Sequence, residues 1–246
     1  MATLVARPAR IRPAHKRADD IYFTTMSFLM LAIILVGFAP SYFLRGAVLA
    51  HLPSLLVHLH GAVFSSWIIL FVVQSCLVSA GNIRLHRRLG VLGSVLAALM
   101  VVLGILAVFG AMRRGAVIPS FFTPASFLVE NVVGMMVFGI YVAIAIWQRN
   151  NALVHKRLLL IANAMLMSPA LGRMTFPVIL RYPFLVGVIP IAMVASIFVF
   201  DLFTRKRLLR VTVIGGLLFL VFPPCMGVVA RTQLAQRITW WAQHRS

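Results

Sequence analysis

The sequence predicts an all-α integral membrane protein, a seven-helix bundle that contains a weak parallel two-helix repeat. Three observations lead there. Of 246 residues, 62% are hydrophobic and only 11% charged, against about 25% charged in a soluble domain. Apolar runs of about 20 residues, the length that crosses a hydrocarbon core as a helix, recur between short basic clusters, and none alternates as the strands of a membrane barrel do. Finally, LHRRLGVLGS at 85–94 returns in part as VHKRLLLIAN at 154–163.

Taken in order, residues 1–20 read as a basic cytoplasmic tail with Arg7, Arg10, Arg12, Lys16 and Arg17. The next apolar run is too long for a signal-peptide core and is kept as a span. Seven spans are expected at 22–44, 52–80, 88–111, 121–147, 154–172, 183–203 and 209–230, in a transmembrane domain of 21–230. Pro223 and Pro224 are expected to interrupt the last of them, and Pro40, Pro169 and Pro190 to mark ends or bends elsewhere. Residues 231–246 are too short and polar to cross; Leu234, Ile238, Trp240 and Trp241 fit an interfacial helix.

The formal charge is +19, from 23 Lys and Arg against four acids. The bases flank spans, so they point to topology and anionic lipid headgroups rather than nucleic acid. With the N-terminus inside, the cytoplasmic segments hold five bases in the tail, three at 84–88, three at 149–157 and four at 205–210; the other side holds eight of the 23. That bias predicts a cytoplasmic N-terminus and, with seven spans, a C-terminus outside; the membrane expected is a bacterial inner membrane. Cys76 and Cys225 lie within apolar runs, without CxxC or metal-ligand spacing, and are expected to be free.

Polar groups at membrane depth are the site candidates. His60 lies about eight residues into span two and Glu130 about nine into span four, each roughly 10–13 Å deep. The repeat offset places them at similar depth, so they are expected to face each other within the bundle, with Arg173 as an alternative partner for Glu130. His60, Trp67 and Gln74 share a helix face, and Asn163 joins this polar core. Asp201 is expected to pair locally with Arg205 or Lys206. His86 and His155 open the two repeat-related spans at the cytoplasmic side. Equal depth suits two axial ligands of one haem iron, with Arg87, Arg88, Lys156 and Arg157 near the propionates; the plain alternative is contact with headgroups. No phosphate loop, Ser/His/Asp set or HExxH occurs, and no metal site is expected.

The hairpin HGAVFSSW…LHRRLG with the later HKRLLL resembles small bacterial polytopic membrane proteins of uncharacterised function. More distantly, histidines on successive central helices are similar to the core of the two-haem transmembrane cytochromes b that ascorbate reduces. That family holds one haem between helices two and four and the other between helices three and five. The resemblance covers residues 52–173. It implies haem b at His86 and His155, with His60 matching one ligand of the other haem, whose partner position here is Glu130. Electron transfer with a quinone is the function it suggests. A non-catalytic subunit of a larger membrane complex and a proton- or solute-coupled transporter using His60 and Glu130 are the rival expectations.

Overall fold

The structure, a computed structural model, describes residues 14–44, 54–116, 118 and 122–244. Helix α1 (Ala14–Phe38) leads into a π-helical turn at Ala39–Phe43. Pro40 lacks the N–H that would continue the α ladder, and its ring crowds the Val36 carbonyl; the chain widens there, and Leu44 N reaches Ala39 O at 2.8 Å. The expected tail ends early: α1 begins at Ala14, and Asp19 is already buried, while residues 1–13 lie outside the described part.

Helix α2 (Leu55–Ser79) is capped by Ser54, α3 (Ile83–Arg113) by Asn82, and α4 (Pro124–Trp147) by a reciprocal box between Thr123 and Ser126. Asn151 caps α5 (Ala152–Met165). Each cap supplies an acceptor to a first-turn amide that has no partner within the helix. There follow α6 (Met167–Leu171), α7 (Pro177–Arg181), α8 (Leu185–Arg205), α9 (Arg210–Val229) and α10 (Gln233–His244). Gly81, at φ 81°, makes the tight reversal from α2 into α3.

Among the described residues six segments are long and apolar enough to cross a membrane: α1 with its π turn, α2, α3, α4, α8 and α9. The chain is therefore a multi-pass membrane protein. The expected span at 154–172 is instead two short helices. Pro169 cannot donate to Met165 and clashes with its carbonyl, so α5 stops at Met165, where Leu166 N turns to Asn163 O at 3.0 Å. Together α5 and α6 still run the length of the bundle beside α1. Lys156 meets Asp19 at one end. At the other, Ala170 is so close to Gly37 that a Cβ there would lie 2.2 Å from the Ala170 oxygen. Asp19 to Gly37 is about 27 Å of helix.

A second expectation fails at the last span. α9 runs unbroken through Pro223 and Pro224, which membrane helices tolerate when neighbours absorb the lost bonds. Cys76 and Cys225 are free thiols.

Around the bundle, α1 packs on α2, α2 on α3, α3 on α4, α4 on α5, and α5 returns to α1. Trp67, Met100, Phe138 and Asn163 fill the space inside this ring. α8 and α9 pack outside, against α5. Thus α5 touches α1, α4, α8 and α9, and its residues 157–158 and 160–164 are all buried. The amphipathic α10 lies across the ends of α3 and α4: Ala235, Thr239 and Ala242 face the protein, and Leu234, Ile238 and Trp240 are exposed.

Candidate functional site

Polar groups inside the bundle fall into three levels along α2, whose His60, Trp67 and Gln74 recur every seven residues on one face. The level nearest the Asp19 end contains the two histidines singled out from the repeat. His86 and His155 face one another, ring centroids 6.3 Å apart and planes nearly perpendicular. Their positions are equivalent: each is the fourth residue after its Asn cap, and each backbone N–H bonds the cap carbonyl, at 3.1 Å for His86 and 3.0 Å for His155. His155 Nδ1 donates to Ala145 O at 2.7 Å. That fixes the tautomer and leaves Nε2 with a lone pair. The His86 ring sits against the main chain of Gln74, and its Nδ1 is buried without a hydrogen-bond partner, as is Gln74 Oε1.

At mid-depth, Trp67 Nε1 donates to Asn163 Oδ1 at 2.9 Å, and Asn163 Nδ2 donates back to Leu159 O at 2.8 Å. Phe138 meets Trp67 edge to face. This pair is closed: its strong donors and its carbonyl acceptor are used within the protein, which suits a structural tie between α2 and α5.

At the Gly37 end, His60 lies beside Phe64, with its Nδ1 buried and unpartnered. Arg173 is exposed; its guanidinium stands over Phe38 at 4.9 Å, and Nη1 donates to Pro169 O at 2.7 Å. His60 and Glu130 do not pair. Glu130 is half-buried and has no hydrogen-bond or ion-pair partner among the described residues. The reason is azimuth. Trp67 points at Phe138, and His60 shares the Trp67 face; Glu130 precedes Phe138 by eight residues, which turns it about 80° away around α4. Its neighbour Val129 packs instead against Ala230 and Ala235.

Sequence reasoning missed a buried ionic network at the Asp19 end. Arg157 and Asp201 are both fully buried, and the Arg157 guanidinium donates to the carboxylate through Nε and Nη2. Thr212 Oγ1 donates to the same carboxylate, and Arg157 Nη1 to Leu153 O. Alongside, Asp19 accepts from Lys156 at 2.6 Å and from Arg205. The Phe23 ring lies under Lys156 and Arg157 at 4.7 and 5.7 Å. Two expectations are corrected here. Asp201 pairs with Arg157 rather than with Arg205 or Lys206, because the face of α8 that carries it turns inward to α5. Lys156 and Arg157, expected beside propionates, are occupied by carboxylates; of the four bases expected there, Arg87 and Arg88 remain exposed. The available signal was Asp201 itself, an acid inside the apolar run IFVFDLF, where an ionised group needs a partner.

Among the described residues no group of three or more His, Cys, Asp or Glu is placed to hold a metal ion. Two imidazoles are therefore the most that the histidine level offers a metal. No protein family, no characterised protein and no solved structure matches this chain.

Proposed function

We propose that the chain is a b-type haem protein that exchanges electrons with a membrane quinone, and that His86 and His155 would hold the haem. The observation that carries this reading is the pair itself: histidines at equivalent positions on α3 and α5, brought together edge to face at 6.3 Å between ring centroids. Neutral imidazole is a common haem ligand, and two of them at one depth could hold one iron. The residues fit such a group in two further ways. The hydrogen bond from His155 Nδ1 to Ala145 O orients the ring, as a carbonyl on the far nitrogen orients metal-bound histidines. The unpartnered His86 Nδ1 and Gln74 Oε1 leave polar capacity at that level unspent. A b-type haem held there supplies one-electron redox chemistry. The chain's own part is to fix both rings, to keep Lys156 and Arg157 neutralised by Asp19 and Asp201, and to leave Arg87 and Arg88 for negative groups at the membrane edge.

In this reading α5 and α6 form a seventh, broken crossing, and the two hairpins α2–α3 and α4–α5 are parallel repeats of one unit. The basic ends of α1, α3, α5 and α8 face the cytoplasm of a bacterium across its inner membrane, and α10 lies on the outer surface. The similarity to ascorbate-reducible cytochromes b extends only to this pair, since His60 and Glu130 stay apart.

The test is the visible spectrum of the chain purified from haem-replete membranes. A Soret band and a sharp reduced α-band, with about one haem per chain, are expected. His86→Ala and His155→Ala should each abolish them, and His60→Ala should not. A well-folded wild-type protein without these bands ends the proposal. Co-purification with a large complex would then favour a non-catalytic subunit, and flux into vesicles a transporter.

A further inference from the structure

The His60 level at the Gly37 end is built differently from the rest of the bundle. Three of the four acids in the chain, Asp19, Asp20 and Asp201, lie at the opposite end, and Glu130 is turned away. Arg173 therefore has a positive charge and no carboxylate among the described residues; one nitrogen is satisfied by Pro169 O and the others are not. Two buried polar atoms at this end of the bundle lack partners, His60 Nδ1 on α2 and Ser41 Oγ on the π turn. The walls are aromatic: Phe38 under the guanidinium, Phe64 beside both Phe38 and His60. Tyr42 closes the side toward His58. Its ring rests on Gly61, where a Cβ would lie 2.4 Å away, and its hydroxyl donates to His58 O at 3.2 Å. A π-helical turn next to unpaired polar groups is a common companion of a binding site.

We infer that this corner, between the end of α1, the π turn, α2 and α6, binds the headgroup of a quinone, with Arg173 and His60 donating to its carbonyl oxygens and Phe38 and Phe64 against its ring. The assignment rests on the proposed quinone partner, and gives it a place. Depth and charge select this ligand over a phospholipid phosphate. His60 is six residues beyond the Ser54 cap, about 9 Å into the helix, below the level of phosphates. One guanidinium beside aromatic walls suits a neutral planar ring with oxygen acceptors better than a phosphate, which draws several cations. The site and the histidine pair lie toward opposite ends of α2: His60 to Gln74 is about 21 Å of helix.

The experiment is photolabelling of the full chain in nanodiscs with a short-chain azido-ubiquinone, followed by peptide mass spectrometry. Adducts are expected in the segments around 38–64 and 167–176, displaced by excess ubiquinone-1 and not by added phosphatidylglycerol. Arg173→Gln and His60→Leu should each lower the yield about tenfold, the loss of one charge-assisted or buried hydrogen bond. His60→Gln, which keeps an amide donor, should retain most of it, and Val91→Leu on the outer face of α3 should change nothing. Adducts spread over outward-facing residues, or unchanged in Arg173→Gln, overturn the site; displacement by phosphatidylglycerol alone reassigns it to a lipid headgroup. The visible spectrum of the same samples separates the two ideas. Labelling here without haem bands sinks the electron-transfer reading alone, and haem bands without labelling here sink only this site.

Discussion

The turn at 82–89, NIRLHRRL, and the turn at 151–158, NALVHKRL, are built alike, yet their basic residues meet opposite fates. Both use an Asn cap whose side chain accepts from the amide three residues on, at 3.2 Å for Asn82 and 3.4 Å for Asn151. Both hold a histidine at the same distance beyond the cap. Beyond that, Arg87 and Arg88 are exposed, whereas Lys156 is half-buried and Arg157 wholly buried. The backbone motif is local and repeats; the surroundings are not and do not. α3 lies on the rim of the helix ring, while α5 is enclosed by α1, α4, α8 and α9. Equivalent basic dipeptides are thus an exposed surface feature in one place and a core electrostatic element in the other.

The comparison breaks most visibly at Arg157. Arg157→Leu leaves Asp201 buried without its counter-charge and should destabilise the protein by about 3–5 kcal/mol. Thermal unfolding in detergent should show a large fall in midpoint, whereas Arg88→Leu should leave it nearly unchanged. The double variant Arg157→Leu with Asp201→Leu should regain much of the loss, since no unpaired charge remains. Equal effects of Arg157→Leu and Arg88→Leu would dissolve the contrast.

Asp19 tests the network one step out. Its carboxylate holds Lys156 and Arg205 on two helices but is closer to the surface, so Asp19→Asn should cost less, about 1.5–3 kcal/mol, read in the same unfolding assay. The caps test the shared half: Asn82→Ala and Asn151→Ala should each cost about 1 kcal/mol, and similarly, because the motif is local. Smallest of all, Arg87→Gln and Arg88→Gln should fall within about 0.5 kcal/mol of wild type, while shifting the sidedness of fusion reporters placed after Ala80 if the basic turn sets topology.

What was legible in the sequence follows the same division. Span positions rest on hydropathy, which is local, and the six long apolar helices fall where the runs do. At α3 the apolar run begins later than the helix, because the cap, Asn82, lies outside the run. The broken α5–α6 segment was readable in Pro169 but not its consequence, since a proline bends one helix and passes through another, as in α9. The meeting of His86 and His155 was legible because equal spacing from equivalent caps gives equal depth. Depth alone failed for His60 and Glu130, since it carries no information on which way each helix is turned. The Arg157–Asp201 bond joins residues 44 apart, and each had a nearer opposite or like charge to mislead a local reading. Only the packing of α8 on α5 decides between them.

That separation also sets a timetable for biosynthesis. A ribosome adding about 5–20 residues per second needs roughly 2–9 s to travel from Arg157 to Asp201. During that interval α5 carries, close to the end that opens at Asn151, a permanent cation whose partner does not yet exist, which is costly wherever it meets hydrocarbon. The nascent chain must keep α5 near the aqueous boundary or within the insertion machinery until α8 emerges. The innermost helix of the finished protein is therefore among the last to settle, and a chain stalled before residue 201 should be a preferred target of membrane proteases.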